Sequence, residues 1–296
     1  MTALASRTVT ALSRAEWQER EDAHHARADG LTAGRRERAA RGQTHPVDDF
    51  LYTYYSYKPA LLRRWHPGAG VELADAAATP RAAWSWYTAG AAPGSLRVDV
   101  AGFTEAKSDL LTLCERMLRL TAARPGQFGC FGLHEWAMVY RAPQPRHAVP
   151  LRLGQRGTDD VVEAHDLRCT HIDAFRFFTK DAVPRNRFTP TRADQPMREQ
   201  PGCLHAGMDV YKWAMKLGPI VPGELMLDAF ELARDIRALD MAASPYDLAD
   251  WGVAPVPIET PEGKAEYVRH QRGFAERANA LRHAILDAWR PDQPTG

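Results

Sequence analysis

The sequence predicts a mainly α-helical protein, α+β with a few short strands, built as a single compact helical domain with a polar N-terminal helix. Apolar residues recur at helical spacing over several long segments, whereas the alternation typical of strands is confined to short ones. The composition, 45% hydrophobic and 25% charged, is that of a globular protein. We therefore predict an N-terminal helical extension at 1–44, a main helical domain at 45–290 that carries the site, and a tail at 291–296.

The order of elements follows from periodicity and from the positions of Gly and Pro. Helices are predicted at 14–41, 105–123, 131–141, 204–217, 225–241 and 260–289. Short strands are predicted at 96–100, 149–153 and 255–258. Two segments stay open between helix and strand, 48–57 and 169–178. The polar segment 184–202 contains four prolines and exceeds most connections in length, so we predict a lid or binding loop there.

Charge and hydropathy exclude several classes of protein. Lys and Arg number 38 against 37 for Asp and Glu, so no global field draws the chain to nucleic acid or to an anionic membrane, although a local basic groove stays open. No run of about 18 apolar residues and no signal peptide is found, which predicts a cytoplasmic protein with no membrane partner. The four cysteines form no CxxC pair and are too dispersed for a disulfide framework, so they are expected as thiols or metal ligands.

Three segments each combine a cysteine, a histidine and a carboxylate. They are Cys130 with His134 and Glu135, Cys169 with His171 and Asp173, and Cys203 with His205 and Asp209. Imidazole and carboxylate suit zinc or non-haem iron. We predict His134, His171, His205 and Asp173 as metal ligands if the segments converge. The alternative is that each histidine is a hydrogen-bonded core residue.

An aromatic set offers a second kind of site. Tyr54, Tyr55, Trp136 and Trp213, with Lys212 beside the last, are predicted to bind substrate, because aromatic faces stack on planar or cationic groups. Core packing is the alternative, since aromatic side chains dominate most cores.

Three carboxylates are predicted as catalytic groups: Glu135, Asp209 and Glu231. Glu231 belongs to an acidic stripe with Asp228 and Asp235, for which a solvated, salt-bridged helix face is the alternative. The motifs HExxH, GxGxxG, GxxxxGK[ST] and GxSxG are absent. No sequence motif therefore indicates a zinc protease, dinucleotide binding, nucleoside-triphosphate binding or a serine hydrolase.

Several segments together are similar to a known family. They are His45-Pro46-Val47-Asp48-Asp49-Phe50-Leu51 with Tyr54-Tyr55, Phe131-Gly132-Leu133-His134-Glu135-Trp136, Cys203-Leu204-His205 and Phe230-Glu231-Leu232-Ala233-Arg234-Asp235. The chain resembles, over most of its length, proteins of high-GC Gram-positive bacteria labelled 3-methyladenine DNA glycosylase. The helix-hairpin-helix signature of well-understood glycosylases is not found, and the turn at 218–223 carries two prolines that remove backbone donors.

The sequence therefore predicts two alternative functions. The resemblance implies a base-excision enzyme that hydrolyses the N-glycosidic bond of an alkylated purine, with damaged double-stranded DNA as its partner. The residues alone also predict a zinc- or iron-dependent enzyme acting on a small molecule. Convergence of His134, His171 and His205 is the observation that separates them.

Overall fold

The computed structural model describes residues 9–143 and 149–289 and confirms a mainly α-helical protein with a few short strands. The helices are α1 (Arg14–Ala40), α2 (Phe50–Tyr54), α3 (Pro59–Leu62), α4 (Val100–Ala106), α5 (Ser108–Ala122), α6 (Leu133–Ala137), α7 (Gly154–Glu163), α8 (Ile172–Phe175), α9 (Gln195–Arg198), α10 (Leu204–Leu217), α11 (Gly223–Ala242) and α12 (Pro261–Trp289). The strands are β1 (Thr10–Leu12), β2 (Val71–Leu73), β3 (Tyr87–Ala89) and β4 (Leu96–Val98). The predicted tail at 291–296 lies outside the described residues.

The four strands form one small sheet in the order β1-β2-β4-β3. β1 runs parallel to β2, and the other two pairs are antiparallel. The carboxylate of Glu72 on β2 accepts hydrogen bonds from the backbone of Ala91 and Ala92 and from the hydroxyl of Ser95, which holds the turn between β3 and β4. Because β1 belongs to the predicted N-terminal extension, that segment is part of the sheet.

The main core forms where α10, α11, α12 and α5 pack against one another. α10 is buried on nearly all sides, which its apolar and small residues permit, so the polar side chains it carries are buried as well. α1 is polar, as predicted, and lies across α11, where Arg27 pairs with Asp228 and Glu231. This arrangement places a set of charged and imidazole side chains inside the helical layer.

Two predicted strands are wrong. In 149–153 only Leu151 makes a single bridge, to Tyr246, and 255–258 is irregular. Pro150, Pro255 and Pro257 have no N–H to donate, so a continuous ladder cannot form there. The helix α7 was not predicted from the sequence.

Both open segments are resolved. Residues 50–54 of the first are helical. In the second the chain stays extended as far as His171, which caps the short helix α8. None of the helices in the described part of the chain is long and apolar enough to cross a membrane.

Candidate functional site

The three predicted histidines come together in the interior. His134 lies on α6, His171 at the start of α8 and His205 in the first turn of α10. The ring centroids of His134 and His205 are 4.7 Å apart, and those of His171 and His205 are 5.4 Å apart. All three side chains are buried. His205 is therefore flanked by the other two imidazoles, and the carboxylates divide into one group on each side of it.

The His134 group consists of His134, Glu135 and Asp240. His134 Nε2 lies 2.8 Å from Asp240 Oδ1, and Nδ1 lies 3.6 Å from the Sγ of Cys130. Arg237 Nη1 donates to both carboxylates, at 3.0 Å each. Burial opposes ionisation of Asp240, but His134 and Arg237 outweigh it and hold the pKa of that carboxyl well below its usual range. The guanidinium of Arg237 therefore provides a positive charge in contact with both buried carboxylates of this group.

The His171 group consists of His171, Glu199 and Asp209. His171 Nε2 lies 2.9 Å from Glu199 Oε1 and 3.6 Å from Asp209 Oδ2, yet its N–H direction fits neither oxygen, so this buried atom has no hydrogen bond in the described part of the chain. On the other side of the ring, Nδ1 accepts the backbone N–H of Asp173 at 3.2 Å. This bond places the hydrogen of the neutral ring on Nε2; burial opposes protonation of the ring, but Glu199 and Asp209 outweigh it and raise the pKa of His171 to about 9.

The two carboxylates of the His171 group have different partners. Asp209 is bound by the ammonium of Lys212 and accepts the Tyr55 hydroxyl at 2.9 Å. Burial opposes its ionisation, but Lys212 and His171 hold the pKa of Asp209 well below its usual range. Glu199 accepts a hydrogen bond from the neutral amide of Gln195. Within 9–143 and 149–289, no lysine or arginine nitrogen lies within 4.0 Å of the Glu199 carboxylate.

His205 lies between the other two histidines. Its ring makes no hydrogen bond to any described residue, and its contacts are the two neighbouring imidazoles. Burial, together with His134, lowers the pKa of His205 to about 3, so the imidazole is neutral and keeps a free lone pair.

Asp173, the fourth predicted ligand, turns away from the histidines. Its carboxylate pairs with Arg192 at 3.1 Å and with Arg176 at 3.3 Å. It lies on the wall of a cavity of about 550 Å³. The structure therefore separates Asp173 from His171, because an extended residue followed by the first turn of a helix does not place the two side chains on one face.

The same cavity collects four of the five residues predicted to bind substrate. Tyr54, Tyr55, Lys212 and Trp213 all line it. Trp136 does not: it is fully buried and donates its indole N–H to the carbonyl oxygen of Ala243 at 2.8 Å. Besides Lys212, three further cations line the cavity, Arg176, Arg192 and Lys216, against the single carboxylate of Asp173. The cavity therefore combines aromatic walls with an excess of positive charge.

The predicted catalytic carboxylates occupy three different environments. Asp209 lies between the cavity and His171. Glu135 is held by Arg237 in the His134 group. Glu231 lies on the α1-facing side of α11, where its carboxylate meets Arg27 at 2.5 Å. Only Asp209 is thus linked both to the cavity, through Tyr55, and to the histidines.

Sequence reasoning missed Glu199 and Asp240 as members of the site. For Asp240 a signal existed: it follows Ile236 by four residues on the apolar face of α11, where a carboxylate is out of place unless it has a buried partner. Glu199 follows the four-residue helix α9 in the proline-containing segment 184–202, where no periodicity indicates which side chains point inward.

No protein-family model, curated protein or solved structure matches the chain.

Proposed function

We propose that the protein is a metal-dependent enzyme that acts on a small anionic molecule. His171, Glu199 and Asp209 hold the cation, and His205 is the neutral imidazole beside them. The observation that carries the proposal is the buried Nε2 of His171, which lies between two carboxylate oxygens and makes no hydrogen bond to any described residue. Imidazole nitrogen and carboxylate oxygen are both ligands of zinc and of non-haem iron.

The charge balance supports a cation at this position. Lys212 compensates one of the two carboxylates, Asp209, whereas Glu199 has no lysine or arginine partner among the described residues and faces only the imidazole of His171. The buried guanidinium of Arg282 is close enough to interact electrostatically with Glu199, but it donates its hydrogen bonds to Ala206 and Asn279. Burying a carboxylate costs several kcal/mol, and a bound cation would offset this cost.

Metal binding at Nε2 also has a cost within the site. The ring hydrogen must move to Nδ1, which then gives up the 3.2 Å hydrogen bond from the Asp173 backbone. One hydrogen bond of this kind is worth about 0.5–1.5 kcal/mol. A structural zinc site contributes ~10–16 kcal/mol, so the gain exceeds the cost. The donor set, imidazole with carboxylate and without thiolate, suits zinc or non-haem iron.

The cavity lined by Tyr54, Tyr55, Lys212 and Trp213 is the proposed substrate-binding site. Tyr55 and Lys212 line the cavity and also bind Asp209, so they connect its wall to the proposed metal ligands. Tyr54 and Trp213 provide apolar surface for a planar group, and Arg176 and Arg192 favour a phosphate or carboxylate. A bound cation would act as a Lewis acid toward an oxygen of such a substrate.

Metal content tests the proposal directly. Protein purified without chelator is expected to contain one equivalent of zinc or iron by elemental analysis, and His171→Ala is expected to lose it. His66→Ala is the matched control, because this histidine is bound to Tyr87, away from the site, and its loss is expected to leave the metal in place. Wild-type protein without stoichiometric metal, or metal retained in His171→Ala, contradicts the proposal.

Base excision is the second candidate, and one observation favours it. The residues predicted to bind a flipped purine, Tyr54, Tyr55 and Trp213, do line one cavity, and Asp209 lies behind Tyr55 where a carboxylate could stabilise a cationic sugar. The test is release of 3-methyladenine from methylated duplex DNA. Asp209→Asn is expected to abolish release, and Asp235→Asn, on the outer face of α11, to preserve it. No release by the wild-type protein removes this candidate and leaves the metal proposal untouched.

A further inference from the structure

A second cavity, of about 310 Å³, opens on the other side of the histidines. Cys130 and His134 both line it, and Cys130 is half-buried rather than enclosed. The turn that joins them has left-handed backbone at Phe131, with φ +50°, and at Gly132, with φ +72°. A phenylalanine in this region is uncommon and strained, and residues of this kind cluster at functional sites. Here the turn precedes α6 and leaves the Cys130 Sγ 3.6 Å from His134 Nδ1.

The opposite nitrogen of the same ring is held by a carboxylate. His134 Nε2 lies 2.8 Å from Asp240 Oδ1, and Arg237 binds the other oxygen of Asp240 at 3.0 Å. A carboxylate that also accepts from Arg237 requires the hydrogen on Nε2; burial opposes protonation of the ring, but Asp240 raises the pKa of His134 well above its usual value, so Nδ1 attracts the thiol proton strongly. The order of groups is thiol, imidazole and carboxylate, in which the carboxylate fixes the ring and the ring accepts the thiol proton.

An unpartnered acceptor points to the kind of ligand. Gln271 lines the cavity, is 1% exposed, and donates its amide N–H to the carbonyl of Gly202 at 2.5 Å. Its Oε1 has no hydrogen-bond partner among the described residues. The amide cannot be reversed, because Oε1 would then face a carbonyl oxygen. A ligand with an N–H or O–H group would satisfy this buried oxygen.

We propose that Cys130, His134 and Asp240 form a nucleophilic site that takes an acyl group from small esters carrying an N–H donor, with Gln271 as the acceptor that recognises the donor. His134 Nδ1 takes the thiol proton, and the Cys130 sulfur forms a bond to the carbonyl carbon. The ester C–O bond breaks, and the leaving alkoxide receives the proton from His134. Water then hydrolyses the thioester, which yields a carboxylic acid and restores the thiol.

This site is independent of the proposed metal centre. It uses the His134 group, whose carboxylates are bound by Arg237, whereas the metal is assigned to the His171 group. The acylation is expected in protein with and without chelator. Its failure therefore does not bear on the metal content, and an absent metal does not bear on the acylation.

The p-nitrophenyl ester of N-acetylglycine is the probe, because it carries an amide N–H next to the reacting carbonyl. Wild-type protein is expected to release a burst of about one equivalent of p-nitrophenolate and to carry the acyl group on Cys130, as located by peptide mass spectrometry. Cys130→Ser removes the thiol, and His134→Gln is expected to slow the burst by about 100-fold or more, as for loss of a general base.

Cys203 provides the internal control. It lines the same cavity and is half-buried to a similar degree, but no described histidine ring nitrogen is hydrogen-bonded to its sulfur. Cys203→Ser is expected to leave the burst unchanged. Acylation of Cys203 at the rate of Cys130, a full burst in Cys130→Ser, or an unchanged rate in a folded His134→Gln overturns the proposal.

Gln271 is tested by substrate preference. Wild-type protein is expected to acylate faster with the N-acetylglycine ester than with the p-nitrophenyl ester of 4-oxopentanoic acid, in which a methylene replaces the N–H. The preference is expected to be about 10-fold or more, because the second ester leaves Oε1 unpaired. Gln271→Met is expected to remove the preference. Equal rates with the two esters in the wild-type protein contradict the assignment of Gln271.

Discussion

The His134 group and the His171 group have the same composition, one histidine and two carboxylates, and differ in their cations. In the His134 group one guanidinium, Arg237, contacts both carboxylates, and both ring nitrogens have partners. In the His171 group the lysine contacts only Asp209, and His171 Nε2 has no hydrogen bond among the described residues. On the metal proposal, this difference assigns the cation to the His171 group, in which Glu199 has no lysine or arginine partner among the described residues.

The largest effect is expected from Arg237→Met. Removing the guanidinium leaves Glu135 and Asp240 buried without their common partner, which costs about 3–5 kcal/mol of unfolding free energy. Urea denaturation measures it. The control is Arg277→Met, whose half-exposed pair with Asp235 is worth ~0.2–1 kcal/mol. Equal losses in the two variants would show that Arg237 does not compensate the His134 group.

The next effect distinguishes the two groups by metal affinity. Glu199→Gln is expected to weaken zinc binding by about 100-fold or more, because even partners one step removed from a metal contribute about 10–100-fold. Glu135→Gln makes the same chemical change in the His134 group, where Arg237 binds the carboxylate, and is expected to leave zinc affinity unchanged. Calorimetric titration with Zn²⁺ measures both. A larger loss in Glu135→Gln would assign the metal to the His134 group instead.

Glu72, a buried carboxylate in the sheet, sharpens the comparison because neutral donors hold it. Hydrogen bonds from Ser95, Ala91 and Ala92 lower the pKa of Glu72 from 4.5 to about 2. The stabilisation is therefore complete above about pH 4.5 and is lost as the pH falls toward 2. Glu72→Gln is expected to cost about 1–3 kcal/mol at pH 7 and to show less acid dependence. Thermal unfolding from pH 7 to pH 3 measures the difference, and parallel pH curves for variant and wild type would contradict it.

The smallest effect is expected at Glu231. Its carboxylate is about one-third exposed and pairs with Arg27, so Glu231→Gln is expected to change the unfolding free energy by ~0–1 kcal/mol. Metal content and acylation of Cys130 are expected to stay at wild-type levels, because the residue contacts neither histidine group. Loss of either property in a stable Glu231→Gln protein would support the sequence prediction of a catalytic role.

Much of the helical architecture was predictable from the sequence. α10 and α11 lie within a few residues of their predicted bounds, because apolar periodicity and the flanking Gly and Pro residues act over short distances. The segments that carry His134, His171 and His205 were located for the same local reason. The strands predicted at 149–153 and 255–258 failed, because a strand depends on a partner elsewhere in the chain.

The sequence by itself therefore determined the long helices α1, α5, α10, α11 and α12 and which segments carry reactive side chains. The tertiary structure decided how those side chains are grouped. Glu199 meets His171, and Asp240 meets His134 across 106 residues of chain. Arg237 binds both carboxylates of the His134 group, whereas the lysine of the His171 group binds only Asp209. Such pairings depend on how helices pack and on which charges are buried together, and neither quantity has a local signature in the chain.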